Sequence, residues 1–153
     1  MSEIEQRLES LGYALAEAPA AAGNYLPFRI SGNQLFLSGV LPLADGAISH
    51  KGKVGQDQSE EAAYEAARNC VLTALPNIKA ALGSLDRVSK VLLVNGFVNG
   101  IDGFENAPKV INGASDFLVE LFGDAGRHAR AAVSVSGLPL NVTVELQITL
   151  EFE

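Results

Sequence analysis

Between Val142 and Phe152 apolar and polar side chains alternate without a break. Val142, Val144, Leu146, Ile148, Leu150 and Phe152 are interleaved with Thr143, Glu145, Gln147, Thr149 and Glu151. A period of two sends successive side chains to opposite faces of an extended chain, so the run predicts a strand with one buried and one polar side in an antiparallel pair. Residues 34–39, 88–98 and 131–136 also read as strands, and Asp45-Gly46 within 41–48 is a hairpin-turn pair. Two longer stretches have the other period. Ala63, Ala67, Val71, Ala74, Ile78 and Leu82 recur at close to 3.6 residues and predict a helix over 57–82. Ser59-Glu60-Glu61-Ala62 forms its start, where acidic residues suit the helix dipole, and Pro76 is expected to kink or divide it. Val110, Ala114, Phe117, Leu118 and Leu121 form the stripe of a second helix over 108–122, with Pro108 near its start and Gly123 just past its end.

A short helix over 4–11 comes first, followed by Ala18-Pro19-Ala20-Ala21-Ala22-Gly23, whose composition alone reads as a surface loop. The order predicts an α+β fold with two main helices packed on one face of a sheet. The other face would carry Thr143, Glu145, Gln147, Ser134 and Ser136, polar enough to meet water or a symmetric partner. With 153 residues, a single domain over 1–153 is expected, with a helical extension at about 1–12.

Composition narrows the chemistry. Apolar residues make up 48% and charged residues 19%, enough for a core and unlike a disordered chain. Eleven basic against eighteen acidic residues give a net charge of −7, which argues against nucleic acid and anionic lipid as partners. No apolar run approaches the ~18 residues of a membrane span, so no membrane contact is expected. The start, Met1-Ser2-Glu3-Ile4-Glu5-Gln6, is acidic where a signal peptide is basic. Cys70 is the single cysteine and has no partner for an internal disulfide, so a reducing, cytoplasmic setting is expected. Beside Val71 in the long helix, it reads as a buried structural thiol. His50 and His128 lie too far apart for metal-ligand spacing, Gly96 and Gly100 are isolated, and Ser38-Gly39 is not part of a nucleophile elbow. Neither cofactor nor metal is expected.

What remains is Arg130, at the opening of the 131–136 strand. A guanidinium there can grip a planar carboxylate with two parallel hydrogen bonds, as lysine cannot. Spacing alone favours a surface or salt-bridged arginine, and for Glu145 an exposed glutamate. Tyr25 reads by itself as a packing tyrosine, His50 as a loop residue and Arg127 as a solvated charge or a second cation near the site. His128, two residues before Arg130, reads as an exposed loop histidine or as a proton carrier at a cleft rim.

The run Arg130-Ala131-Ala132-Val133-Ser134-Val135-Ser136-Gly137-Leu138-Pro139-Leu140-Asn141-Val142-Thr143-Val144-Glu145 resembles the signature of the RidA/YjgF family of reactive-intermediate imine deaminases. Ala18-Pro19-Ala20-Ala21-Ala22-Gly23-Asn24-Tyr25, Leu37-Ser38-Gly39-Val40-Leu41-Pro42 and Ile111-Asn112 match further family segments in the same order, so the likeness covers about 18–152. The resemblance implies a chorismate mutase-like fold, with a mixed six-stranded sheet and two main helices on one face, and a homotrimer with clefts between subunits. It implies hydrolysis of a 2-imino acid or enamine to a 2-oxo acid and ammonia. Arg130 would bind the carboxylate and Glu145 would hold or activate water, helped by backbone groups of Ala132, with Tyr25, Gly39 and Asn112 shaping the pocket. Hydrolysis of an imine asks only for orientation and a proton shuttle, in keeping with a chain that has no cofactor motif. Val40 and Ala132 stand where many members have Gln and Cys, the 122–130 linker is longer, and the longer N-terminus with the glycine-rich 94–104 region points to a separate branch. A non-catalytic trimer binding a small carboxylate is the alternative. Ribonuclease activity fits the acidic charge least.

Overall fold

The alternating run becomes the middle of a sheet. The computed structural model describes residues 1–20 and 23–153, and Ala21 and Ala22 of the Ala/Pro stretch lie outside the described residues. Strand β7 (Val144–Phe152) is flanked by β2 (Gln34–Leu37) and β5 (Val88–Asn99), antiparallel to both. Outside them lie β1 (Phe28–Ser31), antiparallel to β2, and β6 (Ala129–Val135), parallel to β5, giving the order β1-β2-β7-β5-β6. This is the mixed α+β sheet expected, with five strands rather than six. The Asp45-Gly46 turn, with φ of 53° and 78°, joins β3 (Leu43–Ala44) to β4 (Ala47–Ile48) in a separate two-stranded ribbon. Strand β1 was not legible because it is only four residues long and three of them are exposed. Its turn was signalled by Gly32, which takes φ 61° in the two-residue loop between Ser31 and Gln34.

Helices α2 (Glu60–Leu82) and α3 (Ala107–Phe122) cover one face of the sheet. Val144, Leu146, Ile148 and Leu150 are buried beneath them, as the period of two requires. Pro76 does not divide α2, which runs on for 23 residues. A mid-helix proline costs about 3 kcal/mol. Here Pro76 is itself buried and lies among Val71, Ala74, Leu75 and Ile78, each at most 1% exposed, so packing offsets the lost hydrogen bond. Burying one such side chain is worth about 1.5–3 kcal/mol. Where α2 and α3 touch, Gly113 brings the helices so close that a Cβ there would stand 2.0 Å from the Tyr64 carbonyl oxygen. The Tyr64 hydroxyl also donates to Asp116 Oδ2 at 2.7 Å, and this bond pushes its pKa up to about 12.

Helix α1 (Glu3–Ser10) agrees with the predicted N-terminal helix. Ser2 and Glu5 form a capping box, and the Asp86 carboxylate accepts hydrogen bonds from the Glu3 and Ile4 amides. Lys79 of α2 pairs with Glu5 at 2.5 Å, which holds the helix against the domain. Among the described residues no helix is long and apolar enough to cross a membrane.

The uncovered face differs from the reading of its strands. Thr143 precedes β7 and is fully buried, its hydroxyl donating to the Gly52 carbonyl at 3.0 Å. Ser134 lies on the helix side of β6, because Ala132 pairs with Gly96, whose missing Cβ would meet Ile111 of α3. Residues two apart share a face, so Arg130 and Ser134 lie with Ala132, while Ala129, Ala131 and Val133 are turned outward. Ser136 falls just past the end of β6. The open face therefore carries Glu145 and Gln147 beside half-exposed Phe36, Leu93 and Val133, and is more apolar than expected.

Candidate functional site

Arg130 sits on an edge strand, where its side chain can reach past the sheet to α3. One terminal nitrogen donates to Ser115 Oγ at 3.1 Å and the other to the Pro108 carbonyl at 3.1 Å. Both acceptors belong to α3, and they fix the guanidinium while its other N–H groups stay available. Arg130 lines a cleft of about 300 Å³ together with Asn112, Ser115, Asp116, Val119, Arg127 and His128. Sequence reasoning named Arg130, Asn112, Arg127 and His128, and the fold brings all four to this cleft. Ala132 follows on the same side of β6, half-buried against the core.

His128 is not the exposed loop residue expected as the first reading. It is half-buried between the turn at Gly123–Gly126 and β6. Its Nδ1 lies 2.7 Å from the Gly126 carbonyl and its Nε2 lies 2.9 Å from Ser115 Oγ. A carbonyl can only accept, so Nδ1 carries the proton, and in the neutral ring Nε2 accepts from the serine hydroxyl. Burial lowers the imidazole's pKa below its ordinary 6.5, opposed by the Gly126 carbonyl and reinforced by the charge of Arg130. Ser115 therefore joins Arg130 to a neutral histidine. Nothing in the local sequence marked Ser115, because its partners stand 13 and 15 residues away on another element.

Glu145, Gly39 and Tyr25 assemble elsewhere. Glu145 is half-buried on the open face of β7, and burial pushes its carboxyl above the usual carboxylate range. Gly39 lies directly against it: a Cβ at Gly39 would stand 3.1 Å from Glu145 Oε2, so the absent side chain leaves room for that carboxylate. Tyr25 is 52% exposed, and with Ser38 and Gly39 it lines a second cavity of about 170 Å³ walled by Pro27, Val40 and Leu41. Asn77 and Thr73 of α2 also border this cavity and were not named from the sequence.

The two groups do not meet within one chain. On β5, Arg130 is opposite Val94 and Glu145 is opposite Phe97, from strands on either side and on opposite faces. Two strand spacings and three residue rises put their backbones about 14 Å apart.

Cys70 is fully buried, its thiol directed at the Val144 carbonyl at 3.6 Å and pushed by burial well above its ordinary pKa, as a structural thiol requires. Arg127 is 72% exposed and pairs with Asp124 at 3.3 Å. His50 lies in a loop, with Nε2 3.9 Å from Glu65. Among the described residues no group of His, Cys, Asp and Glu has the arrangement to hold a metal ion.

The α+β fold is the one that the family resemblance implied. Residues 5–151 match the model of the family described as "YjgF/chorismate mutase-like, putative endoribonuclease", and the chain belongs to that family. Protein TCP17 of Trypanosoma cruzi is 40% identical over 149 residues, spanning 97% of this chain and 93% of its own. The crystal structure of Atu1372 from Agrobacterium tumefaciens, a protein of unknown function, is 43% identical with a TM-score of 0.92, covering 98% of this chain and 92% of that one. A Shewanella oneidensis structure described as a putative endoribonuclease is 36% identical with a TM-score of 0.94, covering 99% and 100%.

Proposed function

We propose that this protein hydrolyses small 2-imino or enamine acids to 2-oxo acids and ammonia, in clefts shared by neighbouring copies of a homotrimer. The observation that carries the reading is the guanidinium of Arg130. It is held on two sides by α3 and opens into a polar cleft among Asn112 and Ser115. A carboxylate is the planar anion that a fixed guanidinium grips with two parallel hydrogen bonds. Glu145 positions the attacking water, and its raised pKa suits it to take and return a proton nearer neutrality than an ordinary carboxyl. Tyr25, Gly39, Asn112 and Ala132 shape the pocket around these two groups.

The separation of the parts supports a cleft shared between copies. Arg130 and Glu145 face opposite sides of one sheet, so one substrate can touch both only if they come from different protomers. Phe36, Leu93 and Val133, 42%, 38% and 47% exposed, give the uncovered face an apolar surface to bury against a copy of itself. A net charge of −7 disfavours an RNA backbone as partner, which makes ribonuclease chemistry the weaker reading.

The test is direct. Imines generated from amino acids by an amino-acid oxidase should yield 2-oxo acid faster when the purified protein is added. A rate equal to the uncatalysed background, together with measurable 2-oxo acid binding, would leave a carboxylate-binding trimer in place of an enzyme.

A further inference from the structure

We propose that Ser115 and His128 form a proton relay beside Arg130 that accepts the hydroxyl proton when the reaction intermediate collapses; the proposal rests on the imine-hydrolysis reading above. Three hydrogen bonds define the relay. The Gly126 carbonyl holds Nδ1–H of His128 at 2.7 Å, Nε2 faces Ser115 Oγ at 2.9 Å, and the same Oγ receives Arg130 at 3.1 Å. This is the arrangement of an activated hydroxyl: a serine, a base and a third group that fixes the base's tautomer. The third group here is a main-chain carbonyl. It orients the ring without adding a charge that would favour the imidazolium as strongly as a carboxylate does.

The position gives the relay its task. A carboxylate gripped by the other N–H groups of Arg130 carries its neighbouring carbon beside the Ser115 hydroxyl. In the first step water adds to the carbon of the protonated imine. The C–O bond forms, the C=N π pair moves to nitrogen, and one water proton passes to that nitrogen. The intermediate then carries a hydroxyl and an ammonium on one carbon. In the second step Ser115 Oγ takes the hydroxyl proton while its own proton moves to Nε2 of His128. The oxygen's electron pair closes the C=O bond and the C–N pair leaves with ammonia. The imidazolium returns its proton to solvent.

The relay works only while His128 is neutral at Nε2. The charged groups around it are Arg130 on β6, Arg127 and Asp124 at the preceding turn, and Asp116 on α3. Asp116 already accepts the Tyr64 hydroxyl and Asp124 faces Arg127, so neither carboxylate is hydrogen-bonded to the imidazole. Burial with Arg130 nearby keeps the ring neutral at pH 7. Protonation on acidification places a donor where the relay needs an acceptor, so kcat has an acidic limb below pH 6.5.

The experiment compares wild type, Ser115→Ala and His128→Ala for turnover, pH profile and 2-oxo acid binding by calorimetry. Both variants should lose about a hundredfold in kcat; His128→Ala should change KM and binding by less than about twofold, whereas Ser115→Ala, which also removes one support of Arg130, should weaken binding by far less than it lowers kcat. His128→Ala should lose the part of the acidic limb that belongs to the imidazole, keep the part set by Glu145, and recover part of its rate when imidazole is added. Unchanged kcat in both variants, with the wild type active, overturns the relay and leaves imine hydrolysis standing. Loss of binding in step with turnover also overturns it, because the pair would then serve only to hold Arg130. A wild type with no turnover sinks the hydrolysis reading and the relay together.

Discussion

Replacing Arg130 by alanine is expected to lower kcat/KM for imine hydrolysis by about a hundred- to a thousandfold, or about 3–4 kcal/mol. The size follows from the anchor's geometry. Two of its N–H groups are bound by Ser115 and the Pro108 carbonyl, so the guanidinium is already oriented before substrate arrives and little ordering cost remains. Alanine removes both the charge and the two-pronged grip. Arg130→Lys keeps the charge without the fork and should recover only a small part of the loss. Neither change should unfold the protein, since Arg130 is only half-buried on an edge strand. Steady-state kinetics with a thermal melt checks both statements. An Arg130→Ala protein as active as wild type would remove the basis of the functional proposal.

The second large effect concerns the frame that holds the cleft. Gly113→Ala should destabilise the fold by about 3 kcal/mol or more, a large share of a small domain's stability. A helix interior ordinarily favours alanine over glycine by about 1 kcal/mol, so local preference points the other way. Packing decides the sign. The new Cβ would stand 2.0 Å from the Tyr64 carbonyl oxygen and 2.8 Å from its carbon, main-chain atoms that no rotamer change can move. Helix α2 cannot retreat without disturbing Ala63, Ala66 and Ala67, all fully buried around that point. Gly96→Ala makes the contrast: the clash there is with the Ile111 side chain, Cδ1 and Cγ1 at 2.6 Å and Cγ2 at 2.8 Å, and should cost less because side-chain atoms can shift further than main-chain ones. Chemical denaturation of the two variants measures the difference. A Gly113→Ala protein at least as stable as wild type would contradict the helix contact.

How much of this could be read in the sequence depends on the range of the interaction. The faces of β7 were legible because burial on one side imposes a period of two on the chain itself. Asp45-Gly46 was legible because both residues tolerate positive φ, as the hairpin requires. Pro76 misled, because its local cost is offset by tertiary burial that the sequence does not display. Ser134 was assigned to the wrong face because alternation gives two faces without saying which lies under the helices, and the small residues of β6 leave that choice open. At the site, Arg130 and Glu145 were found through the family likeness rather than through spacing. Ser115 was invisible, since its partners reach it only after α3 docks against β6. The separation of about 14 Å between the two backbones likewise follows from strand order, which no local pattern encodes.

The most direct test of the central claim is a crystal structure of the protein soaked with a small 2-oxo acid. The account predicts the ligand's carboxylate on the Arg130 guanidinium, its carbonyl beside Ser115, and Glu145 of an adjacent copy on the far side. A ligand bound away from Arg130, or an Arg130 cleft facing open solvent with no neighbouring copy against it, would contradict the account.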